Sequence, residues 1–210
     1  NHPAMLSPVP MVCFCDIPLN MVADHITKYG TCAIGLTKQW GASHGINPVL
    51  YVNKNSIAGV TMNVLGASSH GYKSPEDMAT VQRFTNIFEA TEKLGYFLKQ
   101  YERVEDESVS YNGKIYVFKK GRYYDEREWR YVPPLTLFER AEHIHAFSSE
   151  VKLKAANEML KKYVIRFRLA DIKYIVCNNE DEKQQLINAI SKTFHSNNIL
   201  VEHDITFKLV

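Results

Sequence analysis

Glu126 and Glu128 stand two positions apart in segment 124–132, which is otherwise rich in aromatic and strand-forming residues. Because successive side chains of a β-strand alternate between its faces, the sequence predicts that Glu126, Glu128 and Arg130 share one face. A row of two carboxylates and a guanidinium is costly to bury without partners. It therefore either lies open to solvent or lines a cleft in which the charges are used.

Two carboxylates beside aromatic residues could act on a sugar substrate. One could orient a ribose hydroxyl while the other engages the nucleophile, and a carboxylate can stabilise an oxocarbenium-like transition state. The alternative interpretation is an exposed edge strand whose alternating charges oppose aggregation. Taken alone, the pattern favours the edge strand, because charged alternation on strands is common.

A second candidate feature is a short helix that begins near residue 20 and ends at Gly30. His25 lies four residues before Tyr29, so the two rings should be neighbours on the helix surface. Together with Asp16 they could form the wall of a polar pocket. A single histidine on an amphipathic helix is more often a surface residue. Trp40 is predicted to be a core anchor.

Several other kinds of site lack their sequence signals. Cys13 and Cys15 are spaced more closely than the cysteine pairs of structural zinc sites, and nothing completes a site with His143 and His145. We therefore expect no metal. Walker A, Gly-x-Gly-x-x-Gly and nucleophile-elbow patterns are absent. These absences remove several common enzyme classes.

A basic cluster near residues 152–168 could contact nucleic acid phosphates. A net charge of +2 favours a solvated face of a helix and a half-exposed strand instead. The cluster has aromatic residues interleaved, and its basic members are Lys152, Lys154, Lys161, Lys162, Arg166 and Arg168.

The predicted elements give an α+β fold class with several antiparallel strands and peripheral helices. An Asn-Gly pair at 112–113 predicts a hairpin. Strands are predicted at 11–15 (buried, with Cys13 and Cys15 as small core residues), 32–36, 48–52, 124–132, 164–169, 172–177 and 199–201 or 205–209. The two strands of the hairpin are predicted on either side of the Asn-Gly pair, within 110–117. Helices are predicted at about 20–29, 37–45, 75–100, 149–162 and 180–194.

Composition places the chain in a broad class. No apolar run is long enough to cross a bilayer and no signal-peptide pattern opens the chain, so we expect no membrane partner. Four cysteines in 210 residues do not form a disulfide scaffold. These features predict a protein of the reducing cytoplasm.

Five blocks of the sequence form an ordered pattern: Met11–Leu19, Ile34–Trp40, Asn47–Tyr51, Tyr124–Pro133 and Asp171–Val176, with His25 and Tyr29-Gly30 between the first two. In this order the blocks resemble the abortive-infection AbiGi family. The resemblance implies a bacterial protein of phage defence or of a toxin–antitoxin module, with a cognate toxin or antitoxin as a partner.

The layout is more distantly similar to ADP-ribosyltransferase-like proteins of the DarT group. This likeness implies one domain over residues 1–210, with antiparallel and mixed strands around a cleft and peripheral helices. NAD would be the substrate, and RNA, DNA or protein the acceptor. By the same likeness the catalytic glutamate is Glu128 and the accessory acid is Glu126, and the residues expected to bind NAD are Phe14, Asp16, His25, Tyr29 and Arg130.

One departure from these enzymes concerns the first strand, which usually carries a His or Arg that grips NAD. No such segment precedes residue 11, and His2 is not in that context. Either the N-terminal first strand that grips NAD is missing, or the protein does not use NAD in this way. The alternative function is a non-catalytic antitoxin or regulatory binding module, for which that strand is of no consequence.

Overall fold

The computed structural model describes residues 9–68, 78–111, 114–136, 150–195 and 206–209. The chain divides into two compact units, each made of two separate stretches. Unit 1 comprises Asn1–Asp16 and Asn47–Tyr163, and unit 2 comprises Ile17–Ile46 and Val164–Val210. The expectation of a single domain over 1–210 stays a prediction.

Six α-helices and four 3₁₀ turns lie in the described residues. The helices are α1 (Ala23–Tyr29), α2 (Lys38–Ser43), α3 (Ile57–Ser68), α4 (Met78–Gly95), α5 (Glu150–Leu160) and α6 (Glu180–His195). The 3₁₀ turns are Leu19–Met21, Tyr123–Glu126, Lys161–Tyr163 and Leu169–Asp171.

Twelve strands are present in the same residues, most of them short. They are β1 (Val12–Cys15), β2 (Ala33–Leu36), β3 (Asn47–Pro48), β4 (Leu50–Val52), β5 (Leu98–Gln100), β6 (Glu102–Arg103), β7 (Glu107–Tyr111), β8 (Lys114–Phe118), β9 (Gly121–Arg122), β10 (Glu128–Tyr131), β11 (Ile172–Cys177) and β12 (Thr206–Leu209).

Unit 1 is built around the central strand of a three-stranded antiparallel sheet, in the order β1-β10-β3. Strands β4 and β5 form a parallel pair beside it, since the amide of Val49 donates to the carbonyl of Glu128 at 2.9 Å and that of Leu50 donates to Phe97 at 2.8 Å. The antiparallel pairs β6–β9 and β7–β8 complete the described strands of this unit. The α+β class is thus confirmed.

Unit 2 contains a three-stranded sheet in the order β12-β11-β2, in which β11 runs parallel to β12 and antiparallel to β2. The apolar core of this unit forms against β11 because alternate residues of that strand face helix α6. Its buried members are Leu169, Ile172, Ile175 and Cys177, and the half-buried residues packed on them are Leu36, Leu186 and Ile190.

Trp40 is the core anchor that the sequence predicts, and it is 5% exposed. Its indole N–H donates to the carbonyl of Arg166 at 3.0 Å, so the polar atom of the buried ring is satisfied. The hydroxyl of Thr37 accepts from the Trp40 amide at 3.2 Å, which caps the start of α2. The predicted strand over 164–169 is wrong, because this stretch is irregular and gives a carbonyl to Trp40 instead of to a sheet.

Other local predictions are confirmed by their caps and turns. Strands β7 and β8 pair from Glu107 with Phe118 to Tyr111 with Lys114, as the hairpin signal requires. Gly30 ends α1 with a φ of 104°, a backbone conformation that favours glycine. The side chain of Asn179 accepts from the amide of Glu182 at 2.9 Å at the start of α6.

Two predictions about element type and burial are corrected. The long helix ends at Gly95, not near residue 100, because Leu98–Gln100 pairs with β4 as strand β5. The strand at 11–15 exists, but it lies at one side of its sheet, and Cys13 and Cys15 are exposed rather than buried. The unassigned segment after residue 54 contains α3.

Some sequence predictions fall outside the described residues. They concern the proposed helix start at Ser74, the pair His143 and His145, the Asn-Gly turn at 112–113 and a strand at 199–201. Within the part of the chain that the structure describes, no helix combines the length and the apolar character needed to span a membrane.

Gly35 provides a test of how closely β2 and β11 approach. A Cβ atom at this position would lie 2.3 Å from ring carbons of Tyr174, its partner in the strand register. Gly35→Ala should therefore lower the free energy of unfolding by about 1–3 kcal/mol, since the Tyr174 ring must move. Urea denaturation measures the change.

Gly41→Ala is the matched control. A Cβ there meets nothing nearer than Ile46, at 4.0 Å, and Gly41 lies within helix α2. The free energy of unfolding should stay within about 1 kcal/mol of the original value and should rise, because alanine favours helix over glycine. Equal losses in the two variants would contradict the close approach at Gly35.

Candidate functional site

The candidate site is centred on Glu128, the first residue of β10, which is 8% exposed. Its main chain is held on two sides, because its amide donates to the hydroxyl of Tyr51 at 2.8 Å and its carbonyl accepts from the amide of Val49 at 2.9 Å. Cys15 is its partner across the sheet. These main-chain hydrogen bonds fix the position from which the Glu128 side chain extends.

Both oxygens of the Glu128 carboxylate accept hydrogen bonds from cations. Lys99 donates from Nζ to Oε2 at 2.6 Å, and Arg130 donates from Nε to Oε1 at 2.6 Å. Lys99 belongs to β5, whereas Arg130 lies on the same strand as the glutamate. Charge-assisted hydrogen bonds of this length are strong, and they offset the cost of removing the carboxylate from water.

Glu126 joins the same cluster through a turn and not through strand alternation. It ends the 3₁₀ turn before β10, and Arg127 follows with a φ of 43°, the left-handed conformation that non-glycine residues seldom adopt. The Nζ of Lys99 donates to Glu126 Oε2 at 2.5 Å. The two carboxylates therefore converge on one ammonium, although the predicted strand over Glu126 and Arg127 is wrong.

Arg130 has further partners at the end of the long helix and the start of β5. Its Nη1 donates to the carbonyl of Tyr96 at 2.5 Å and lies 3.4 Å from that of Leu98. The guanidinium thus links β10 to the chain that carries Lys99. We define the acid–base cluster as Lys99, Glu126, Glu128 and Arg130.

The electrostatics of the cluster favour the charged forms of Glu128 and Lys99. Burial alone would raise the pKa of Glu128, but hydrogen bonds from Arg130, Lys99 and Cys13 outweigh it and lower that pKa to about 2. Burial would lower the pKa of Lys99, yet its bonds to Glu126 and Glu128 raise it. Glu128 is therefore ionised at neutral pH and has no proton to give as a general acid.

The thiol of Cys13 also touches this cluster. Although the residue as a whole is exposed, loss of water around the thiol where it meets Glu128, together with its hydrogen bond to that carboxylate, raises the pKa of Cys13 to about 11. The thiol is consequently protonated at neutral pH and donates to the carboxylate. Cys13 faces Arg130 across the sheet, so its side chain lies on the face of the acid–base cluster.

Tyrosine rings lie on the remaining sides. Tyr51 and Tyr124 make an edge-to-face contact with their centroids 5.3 Å apart, and Tyr101 stacks on Tyr124 at the same separation. The ammonium of Lys99 lies 5.3 Å from the centroid of Tyr123. Two carboxyl groups beside several aromatic rings form a polar site with planar surfaces near it.

The sequence analysis did not identify Lys99 or these tyrosines. A lysine within Tyr96-Phe97-Leu98-Lys99 was the available signal, since a charge inside an apolar stretch needs a partner. The pair Tyr123-Tyr124 directly before the acidic residues was another. Nothing in the local sequence indicates that β5 lies beside β10.

The other residues expected to bind NAD are placed as follows. Phe14 faces Trp129 in the register, on the side of the sheet opposite Glu128 and Arg130. The amide of Asp16 donates to the carbonyl of Arg127 at 3.0 Å, next to the cluster. Asp16 is therefore close to Glu128 in the fold, whereas the ring of Phe14 points to the other face.

His25 and Tyr29 lie on α1, in unit 2. Their ring centroids are 4.4 Å apart at an angle of 34°, so the predicted contact between the rings is confirmed. The acid–base cluster belongs entirely to unit 1. A role for these two rings in the same site stays a prediction. Among the described residues, no group of three histidine, cysteine, aspartate or glutamate side chains could hold a metal ion.

Replacement of the buried acid tests the strength of the cluster. Glu128→Gln removes the carboxylate and leaves the charges of Lys99 and Arg130 undercompensated, so the free energy of unfolding should fall by about 3 kcal/mol at pH 7. Because the folded protein lowers the pKa of Glu128 from 4.5 to about 2, the contribution is complete above about pH 4.5 and is lost as pH falls toward 2. Urea denaturation at several pH values measures the difference.

Glu158→Gln is the control for this experiment. Glu158 also pairs with a cation, Lys161, but the side chains of both residues are exposed, at 56% and 72%. An exposed ion pair contributes less than about 1 kcal/mol, so this variant should be nearly as stable as the original chain at every pH. If both variants lost the same stability, the cluster would contribute no more than a surface ion pair.

The comparisons with known proteins agree with one another. The AbiGi family model, described as an abortive phage resistance protein and antitoxin, matches residues 5–178. The abortive phage resistance protein AbiGi of Lactococcus lactis subsp. cremoris is 30% identical over 201 residues, which cover 88% of this chain and 77% of that protein. No solved structure matches the chain. The family match extends over most of the sequence, so this chain belongs to the AbiGi family of abortive phage resistance proteins.

Proposed function

We propose that this chain is the antitoxin component of an abortive-infection system, a binding protein whose acid–base cluster holds unit 1 together. The observation that carries the proposal is the mutual neutralisation of that cluster. Both oxygens of Glu128 are occupied by Lys99 and Arg130. A surface of unit 1 held in this way would serve recognition and not bond breaking.

A catalytic carboxylate in glycosyl transfer must reach the sugar. It acts by orienting a hydroxyl and by facing the positive charge that develops on the ribose. In this protein a substrate hydroxyl would have to displace a charge-assisted bond of 2.6 Å, and the lysine would then oppose the developing positive charge. Such an environment favours a structural acid over a catalytic one.

Family membership supports the same proposal. The family description includes the word antitoxin, and the lactococcal relative is an abortive phage resistance protein. An antitoxin needs a stable surface for its partner, and it needs no turnover of a small molecule. The partner under this proposal is a toxin protein of the same defence system.

A second candidate function is NAD-dependent ADP-ribosyl transfer to RNA, DNA or protein, on an ADP-ribosyltransferase-like fold. The observation that favours it is the convergence of Glu126 and Glu128 beside Tyr51 and Tyr124. Glu128 is ionised at neutral pH, as a carboxylate that stabilises an oxocarbenium ion must be, and tyrosine rings can stack on planar groups. In this candidate NAD displaces Lys99 from Glu128.

Growth of cells distinguishes the antitoxin from an effector. Induction of this chain alone should leave growth unchanged, because an antitoxin has no target without its toxin. Deletion of its gene with the flanking genes retained should stop growth, and expression of the chain from a plasmid should restore it. Growth arrest on induction, abolished by Glu128→Gln, would instead support the transferase.

Incubation with NAD provides the biochemical half of the same prediction. The purified chain should release no nicotinamide from NAD, whether or not RNA, DNA or protein fractions are added, and Glu128→Gln should behave identically. Chromatography of the reaction measures nicotinamide directly. Nicotinamide release by the original chain but not by the Glu128→Gln variant would contradict the antitoxin proposal, provided that circular dichroism shows both proteins to be folded.

A further inference from the structure

Two cysteines of unit 2 lie at the same end of the β2–β11 pair. In the antiparallel register of β11 and β2, Ile175 faces Ile34 and Val176 faces Ala33. Cys177 is the last residue of β11 and Cys32 directly precedes β2, so one further step of the same register would set them opposite each other. Directly opposed residues of an antiparallel pair have Cα atoms about 4.5–5.5 Å apart, which is within the range that a disulfide spans.

The contacts of each thiol place both side chains on the same face of the sheet. Cys177 is fully buried and packs in the cluster that contains Leu186 and Ile190 of α6. The thiol of Cys32 lies 3.4 Å from the carboxylate of Glu182, which belongs to the first turn of the same helix.

Glu182 is a shared contact of the two positions. The carboxylate oxygen that Cys32 contacts also accepts from the amide of Asn178, the residue directly after Cys177, at 2.9 Å. The Cys32 thiol therefore reaches the end of β11 from the neighbouring strand. Burial is the main cause that raises the pKa of the Cys177 thiol, and the nearby Cys32 and Glu182 raise it further.

We propose that Cys32 and Cys177 form a reversible disulfide that joins β2 to β11. Both are free thiols in this structure. The bond would tie together the two stretches of chain that make up unit 2, one before residue 46 and one after residue 164. The proposal concerns a covalent modification of unit 2 and does not depend on the function of the acid–base cluster.

The oxidant is a low-molecular-weight disulfide such as oxidised glutathione. Cys32 is exposed, so its thiolate attacks one sulfur of the oxidant and releases one molecule of reduced glutathione, leaving a mixed disulfide on Cys32. Cys177 then loses its proton and attacks the Cys32 sulfur, which releases the second reduced glutathione. Two protein thiols are oxidised and one glutathione disulfide is reduced to two thiols.

The bond should stabilise the folded protein, because it closes a long loop in the unfolded chain. Loop-closure entropy predicts a rise in Tm of roughly 10–20 °C for a loop of this size in a protein of this length. The second step should be slower than the first, since Cys177 is buried and its thiol resists deprotonation.

Oxidation of the full chain tests the proposal. The folded protein is equilibrated with oxidised glutathione well below its Tm, blocked with an alkylating reagent and digested without reductant. Mass spectrometry should find the peptides of Cys32 and Cys177 linked, the Tm of the oxidised protein should be higher by the amount given above, and dithiothreitol should reverse both changes.

Single-cysteine variants provide the controls. Cys32→Ser alters an exposed residue, so it should fold normally but gain no linked peptide and no rise in Tm. Cys15→Ser, an exposed cysteine of unit 1, should behave as the original chain does. A glutathione adduct that persists on Cys32 without linkage to Cys177, or a linked peptide containing Cys13 or Cys15, would overturn the proposal.

Discussion

The need to neutralise the buried carboxylate of Glu128 is the constraint on which the described part of unit 1 depends. A carboxylate that is 8% exposed must have cationic partners, because the cost of removing it from water would otherwise exceed the stability of the protein. Lys99 and Arg130 provide those partners from two different strands. By bonding to them, Glu128 fixes β10 against β5, and Lys99 in turn fixes the turn that carries Glu126.

This arrangement gives specificity of structure more than net stability. A buried ion pair can often be replaced by apolar residues at little cost, whereas removal of one partner is strongly destabilising. The cluster thus specifies which strands lie together, since a different register would leave one of the charges unpaired. The left-handed residue Arg127 fits this interpretation, because its conformation directs Glu126 toward Lys99. A strained backbone of this kind persists when the surrounding contacts require it.

The two units meet their constraints in different ways. Unit 1 places charge at its centre, whereas unit 2 packs apolar side chains of β11 against α6 and brings β2 so close that Gly35 lies under the ring of Tyr174. The same pairing brings Cys32, which directly precedes β2, to the end of β11 that carries Cys177.

Local sequence determined the elements whose signals lie within a few residues. The hairpin of β7 and β8, the caps at Thr37 and Asn179, the end of α1 at Gly30 and the α+β class all follow from turn chemistry and periodicity. It also placed Glu128 and Arg130 on one face, because they are two residues apart in a strand.

Only the tertiary structure decided what surrounds those side chains. The partner of both glutamates is Lys99, which is far from them in the sequence, and a pairing between distant strands leaves no mark on local propensity. Three other features also depend on contacts between distant parts of the chain. They are the left-handed backbone at Arg127, the end of helix α4 at Gly95 and the exposure of Cys13 and Cys15. In each case a long-range contact or its absence overrode the local pattern, because the energy of burying or pairing a group depends on neighbours that the local sequence does not specify.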